Sequence, residues 1–200
     1  MNTTLTRLVP LAAALMFAGC YSVAQKDPEK AAPITAKYDQ SDLLKWGKGV
    51  AKMILEHPFP TTGEKSNPIV VVMGIQNRTT RHIDTKAISD TISTELLNSG
   101  KVLFVNDSRR DDMLKEQGYQ LANATPESRV HIGKQLGAKY MLTGSLTEIK
   151  SEPGREITLR RKEDVFYQLT IEITDLETGL IVLRKQTDRL RRAYEPVVGW

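Results

Sequence analysis

From Ser41 the chain reads SDLLKWGKGVAKMILEH, and Leu43, Trp46, Val50, Met53 and Ile54 fall on one helical face. Ser41 offers a cap, and Pro58 and Pro60 end the run. Gly47 and Gly49 either weaken this helix or let it pack closely against a neighbour. The loop TTGEKSNP follows. IVVVMGIQ is then apolar at successive positions, as in a central strand buried on both faces. DTKAISDTISTELLNSG returns to helical spacing. Asp84 is its cap, Ile88, Ile92, Leu96 and Leu97 its apolar face, and Gly100 its end. KVLFVN predicts a second, short strand. SRRDDMLKEQGYQLAN predicts a polar helix whose weak apolar set is Met113, Leu114, Tyr119 and Leu121. TPESRVHIGKQLGAKY starts with Thr125 as cap and Pro126 at the first helical position, and ends at Gly137. KYMLTGSLTEI is a third strand. In VFYQLTIEIT, Val165, Tyr167, Leu169, Ile171 and Ile173 alternate with polar residues. DLETG turns the chain, with Gly179 free to take positive φ, and LIVLRKQTDRLRR returns.

This order predicts an α/β (α+β) domain, a mixed sheet of four to five strands flanked by helices. The first two strands, joined by a helix, are expected to run parallel with a right-handed crossover. The last three are expected to form an antiparallel meander.

The N-terminus adds a different signal. MNTTLTRLVPLAAALMFAGC has one cation, Arg7, then an apolar run from Leu8 to Ala18, then Gly19-Cys20. At about 11 residues the run is shorter than the roughly 20 needed to span a bilayer as a helix. It fits a signal peptide over residues 1–19. The single cysteine of the chain stands at the cut, and FAGC resembles a bacterial lipobox, which implies acylation (palmitate) of Cys20. Tyr21, not Asp, follows it, which by resemblance to sorted lipoproteins implies the outer membrane, facing the periplasm. Residues 20–38 hold Pro28 and Pro33 and no apolar periodicity, and are expected to form a lipidated flexible tether. The globular domain is expected over 39–194. With no second cysteine, the mature chain has no internal disulfide.

The net charge of +4 is far from the dense basic stripe of a nucleic-acid binder. Nucleophilic chemistry finds no support either: there is no Gly-x-Ser-x-Gly elbow, and Cys20 is the lipid site. His57, His82 and His131 lack metal-ligand spacing, and no phosphate-cradling glycine loop is present. No catalytic residue, metal or cofactor is therefore expected, and the protein is read as not an enzyme. A carboxylate pair assembled from distant segments stays open. The polar stretch QNRTTRHIDT after the first strand has two readings. Asn77 and Asp84 can serve backbone turns and caps. Arg78 and Arg81 are then solvated or available to a partner. Arg129, Lys134 and Lys139 are further basic positions off the apolar stripes, expected with them to contact a partner.

The lipobox, VVVMGIQNRTTRHIDT, LLNSGKVLFVND, IGKQLGAKYMLTGSL and DLETGLIVL occur in this order. As an ordered set they resemble the LpoB-type penicillin-binding-protein activators, related to the curli-secretion lipoprotein, over about residues 40–190. The resemblance implies a fold like the N-terminal domain of TolB. It also implies an outer-membrane lipoprotein that docks on a bifunctional penicillin-binding protein and stimulates peptidoglycan synthesis, with effects on cell shape. The alternative is a structural or secretion-associated envelope lipoprotein. Against a curli-type membrane barrel, KSEPGREITLRRKED is heavily charged and too short for two strands of about 10 residues with an apolar face.

Overall fold

The computed structural model describes residues 27–28, 30, 36–56, 67–118, 123–151 and 160–196. Cys20, most of the tether, His57, Pro58, Pro60, Tyr119 and Leu121 lie outside them. Among the described residues no helix is long and apolar enough to cross a membrane.

The elements run α1 (Gln40–Leu55), β1 (Ile69–Arg78), α2 (Thr85–Asn98), β2 (Leu103–Phe104), α3 (Asp107–Glu116), α4 (Pro126–Gln135), β3 (Tyr140–Ser151), β4 (Arg160–Asp175) and β5 (Ile181–Pro196). They form one mixed sheet in the order β2-β1-β3-β4-β5. β1 pairs in parallel with both β2 and β3, while β3, β4 and β5 make the expected antiparallel meander. The mixed class is thus as read from the pattern, and the central place of β1 explains why both its faces are apolar. Val70 and Val72 pack with α1 and α2 on one face, and Val71 and Met73 with α3 and α4 on the other.

The larger core lies under α1 and α2. Val165, Tyr167, Leu169, Ile171 and Ile173 of β4 all point into it, as their alternation predicts. Gly47 turns out to be a packing glycine. A Cβ there would stand 2.3 Å from Thr91 Cγ2 of α2, closer than real Cβ contacts come, so the backbone of α1 packs directly on the Thr91 side chain. The register of β1 against β3 breaks between Val72 and Ile75. Gly74, with φ of 86°, supplies the conformation for that bulge.

Several details differ from expectation, and α3, expected to run through Asn123, ends at Glu116. The cap of α1 is Asp39, not Ser41: its carboxylate accepts from the N–H groups of Ser41 and Asp42, and Asp42 returns the bond to the N–H of Asp39. Two carboxylates make a reciprocal capping box here, and the Ser41 hydroxyl donates to Asp39 as well. β2 shrinks to two residues because it pairs only with the first residues of β1. Leu97, assigned to the buried stripe of α2, is exposed, because Leu96 already fills the core position.

On the face under α3 and α4 the smaller core takes Val71, Met73, Met141 and Leu176 from the sheet side. Beyond Met141, the positions of β3 on this face (Thr143, Ser145, Thr147, Ile149) are half-buried or exposed. The long β4–β5 hairpin extends this open face.

Candidate partner-binding face

The polar stretch after β1 is built as structure. The Asn77 amide donates to the carbonyls of Arg81 and Ile83, and its oxygen accepts from the N–H of Thr79. The Thr85 hydroxyl donates to the Ile75 carbonyl, and Asp84 caps α2 through the N–H groups of Lys86 and Ala87. The turn-and-cap reading thus accounts for Asn77 and Asp84.

Glu148 holds this loop to the sheet. Its side chain is 1 % exposed. It accepts from the Thr80 N–H at 3.1 Å, the Thr80 hydroxyl at 2.8 Å, the Tyr167 hydroxyl at 3.0 Å and Arg81 Nε at 3.3 Å. Burial pushes its pKa up, but the hydroxyls of Thr80 and Tyr167, the Thr80 N–H and the Lys150 charge outweigh it, so the carboxyl sits below its usual value. Burial, followed by the bond to Glu148, pushes the Tyr167 phenol up to about 12. Arg81 also reaches Glu163 at 3.9 Å. Of the five basic positions, Arg81 is therefore committed to internal ion pairs.

A second charged cluster joins the chain before α1 to β5. Residues of β5 facing the core side include Lys185, Thr187, Arg189 and Arg191, opposite Ile171, Leu169, Tyr167 and Val165 of β4. Arg191 donates to Asp39 at 2.6 Å, Asp42 at 2.8 Å and Ser41 at 2.9 Å. Arg189 pairs with Asp42 and donates to the Ala36 carbonyl at 3.0 Å. The Arg189 guanidinium lies 4.9 Å from the Tyr167 ring centre and 5.7 Å from that of Trp46. Burial, then the charge of Arg191, lowers its pKa to about 10. The last tether residues are thus part of the fold, gripped by the final strand. Sequence reasoning missed this cluster. The available signal was the phase of β5, whose inward positions read Lys-Thr-Arg-Arg beside an apolar neighbour.

The remaining basic positions divide. Arg78, Arg129 and Lys134 line one groove of about 830 Å³ between α4 and the open sheet face. Arg78 is exposed, and its Nε donates to Gln76. Arg129 is half-buried and donates to the Ala124 carbonyl, and Lys134 is exposed. Lys139 lies elsewhere, just before β3, with its ammonium 5.6 Å from the Tyr140 ring centre. Among the described residues no group of three or more His, Cys, Asp or Glu is placed to hold a metal ion. Asp111 bonds Arg110, and Asp164 pairs with Arg192 at 2.7 Å, so these acids serve ion pairs.

A family model described as peptidoglycan-synthase activator LpoB matches residues 47–188. A comparison with curated protein sequences finds no match. Among solved structures, the chain is similar to the LpoB C-terminal domain from Salmonella enterica, with TM-score 0.56 and 17 % identity, covering 74 % of this chain and 98 % of that one. The NMR structure of Escherichia coli LpoB gives TM-score 0.52 and 15 % identity, covering 96 % of each chain.

Proposed function

This chain belongs to the peptidoglycan-synthase activator LpoB family, and we propose on that premise that it binds and stimulates a bifunctional penicillin-binding protein. The family match over residues 47–188 carries this reading. The contact surface proposed is the open sheet face with Arg78, Arg129 and Lys134 on its rim, which one groove brings together. Arg81 supports the face from behind through Glu148. Arg78→Glu and Lys134→Glu are expected to weaken synthase binding and stimulation about tenfold together. The melting temperature should stay nearly unchanged, because exposed substitutions usually shift stability by less than about 0.5 kcal/mol. Full stimulation by both variants would remove this face from the interface.

The protein is proposed to work as an outer-membrane lipoprotein acylated at Cys20. Two signals motivate this: the short apolar leader and the position of the only cysteine. With Ala36 and Lys37 held by β5, a flexible tether of residues 21–35 would average about 21 Å end to end and reach at most roughly 50 Å, so the domain would stay close to the membrane. Cys20→Ala is expected to leave an uncleaved precursor or a soluble periplasmic protein. Full retention of a cleaved Cys20→Ala protein in the outer membrane would overturn the assignment.

A further inference from the structure

The groove between α4 and the sheet is lined by two kinds of group. Arg129 and Lys134 come from α4 and Arg78 from the end of β1, setting three cations around its mouth. The floor is uncharged: Gln76 of β1 and the hydroxyls of Thr143 and Ser145 of β3, beside the apolar surface of Met141 and Val130. Two carboxylates also border it. Glu172 is occupied by Arg184 at 2.8 Å, and Glu127 stands exposed in the first turn of α4. Among the described residues neither Arg78 nor Lys134 pairs with a carboxylate, so their charge faces the groove mouth uncompensated.

These groups define a ligand. Cations at the mouth call for anionic groups, and guanidinium forks match carboxylates in geometry. Hydroxyls and an amide on the floor match the hydroxyl and acetamido groups of a sugar, and Met141 with Val130 matches the C–H face of its ring. The volume falls within the range of about 300–1,000 Å³ typical of small-molecule sites. We propose that this groove binds a carboxylate-bearing glycopeptide fragment of peptidoglycan. The demand for carboxylates and sugar rests on the groove alone, and the choice of peptidoglycan rests on the activator reading. Because Arg78 and Lys134 also belong to the proposed docking rim, a bound fragment would compete with the synthase and couple activation to the amount of wall material nearby.

The test uses the isolated protein and a soluble disaccharide-tripeptide from peptidoglycan, titrated by NMR or calorimetry. Chitobiose supplies the neutral sugar control and inorganic phosphate the simple anion. Saturable binding of the glycopeptide is expected, with chemical-shift changes at Thr143, Ser145 and Val130. It should weaken about five- to tenfold in Arg78→Gln or Lys134→Gln, the loss of one charge-assisted contact. Lys52→Gln, an exposed change on α1, should leave it intact. No saturable binding would overturn the proposal. So would phosphate or chitobiose reproducing the same shifts, or an equal loss in Lys52→Gln. None of these results depends on a synthase, so the groove proposal and the activator reading fail separately.

Discussion

Asp42→Ala is expected to lower stability by about 3–5 kcal/mol, the cost of removing one partner from a buried ion pair. The Asp42 side chain is 1 % exposed and meets both Arg189 and Arg191, whose side chains are 13 % exposed. The substitution leaves Arg191 with Asp39 but takes from Arg189, set against the Tyr167 and Trp46 rings, the carboxylate it pairs with. It also removes the acceptor for the Asp39 N–H, breaking the capping box of α1. For a domain of this size each kcal/mol shifts the melting temperature by about 2–4 °C, so a fall of roughly 6–20 °C is expected in a thermal scan. Hydrogen exchange should locate the opening at residues 36–42, since Ala36 and Lys37 are held by the same arginines. Asp42→Asn keeps the shape and one acceptor and should lose less. A melting temperature within about 2 °C of the parent for Asp42→Ala would mean that the cluster contributes little net free energy.

Glu148→Ala is expected to cost about 2–4 kcal/mol, because buried donors left without an acceptor lose their full desolvation penalty. The buried Tyr167 hydroxyl loses its acceptor, the exposed Thr80 loses both its bonds to the same carboxylate, and among the described residues Arg81 keeps only Glu163. The same carboxylate carries a pH signature. Its pKa is held below the ordinary value of 4.5, so between the two values the unfolded state binds more protons. Its contribution is present above about pH 4.5 and is lost as pH falls through the folded pKa. Asp39, lowered from 3.8 by Arg191 and Ser41 against the opposing effect of burial, behaves likewise. In acid titrations followed by denaturant unfolding, Glu148→Gln should flatten the decline below pH 4.5 relative to the parent. An unchanged acid limb would show that Glu148 titrates alike in both states.

Much of the architecture was legible in the chain because periodicity reports burial. The alternation of Val165 to Ile173 placed one face of β4 in the core. The unbroken run of β1 announced a strand covered on both sides, and the helical spacing of Ile88, Ile92 and Leu96 named the face of α2 that packs. Local chemistry was readable too: Asp84 and Thr125 are caps, and Gly100, Gly137 and Gly179 take positive φ where helices end or the hairpin turns.

What depends on residues distant in sequence was not legible. Arg81 reads as a solvated loop cation until Glu148, 67 positions later, closes on it. Asp42 reads as an ordinary first-turn acid until β5 brings Arg189 and Arg191 across roughly 150 positions. A local pattern states how exposed a position is expected to be. It carries no information on which charge arrives from another strand, and at the interior of a protein that partner decides whether a charge is tolerated. The groove has the same origin. Arg78, Arg129 and Lys134 were separate basic residues along the chain, and only the pairing of β1 with β3 and the seating of α4 made them neighbours. The sequence by itself determined the order of the elements, most of their inward faces and the caps of α2 and α4, because these follow from short-range sterics and solvent. The tertiary structure alone decided which cations hold the fold together and which remain to meet a ligand, because that choice depends on the geometry of encounter between distant strands.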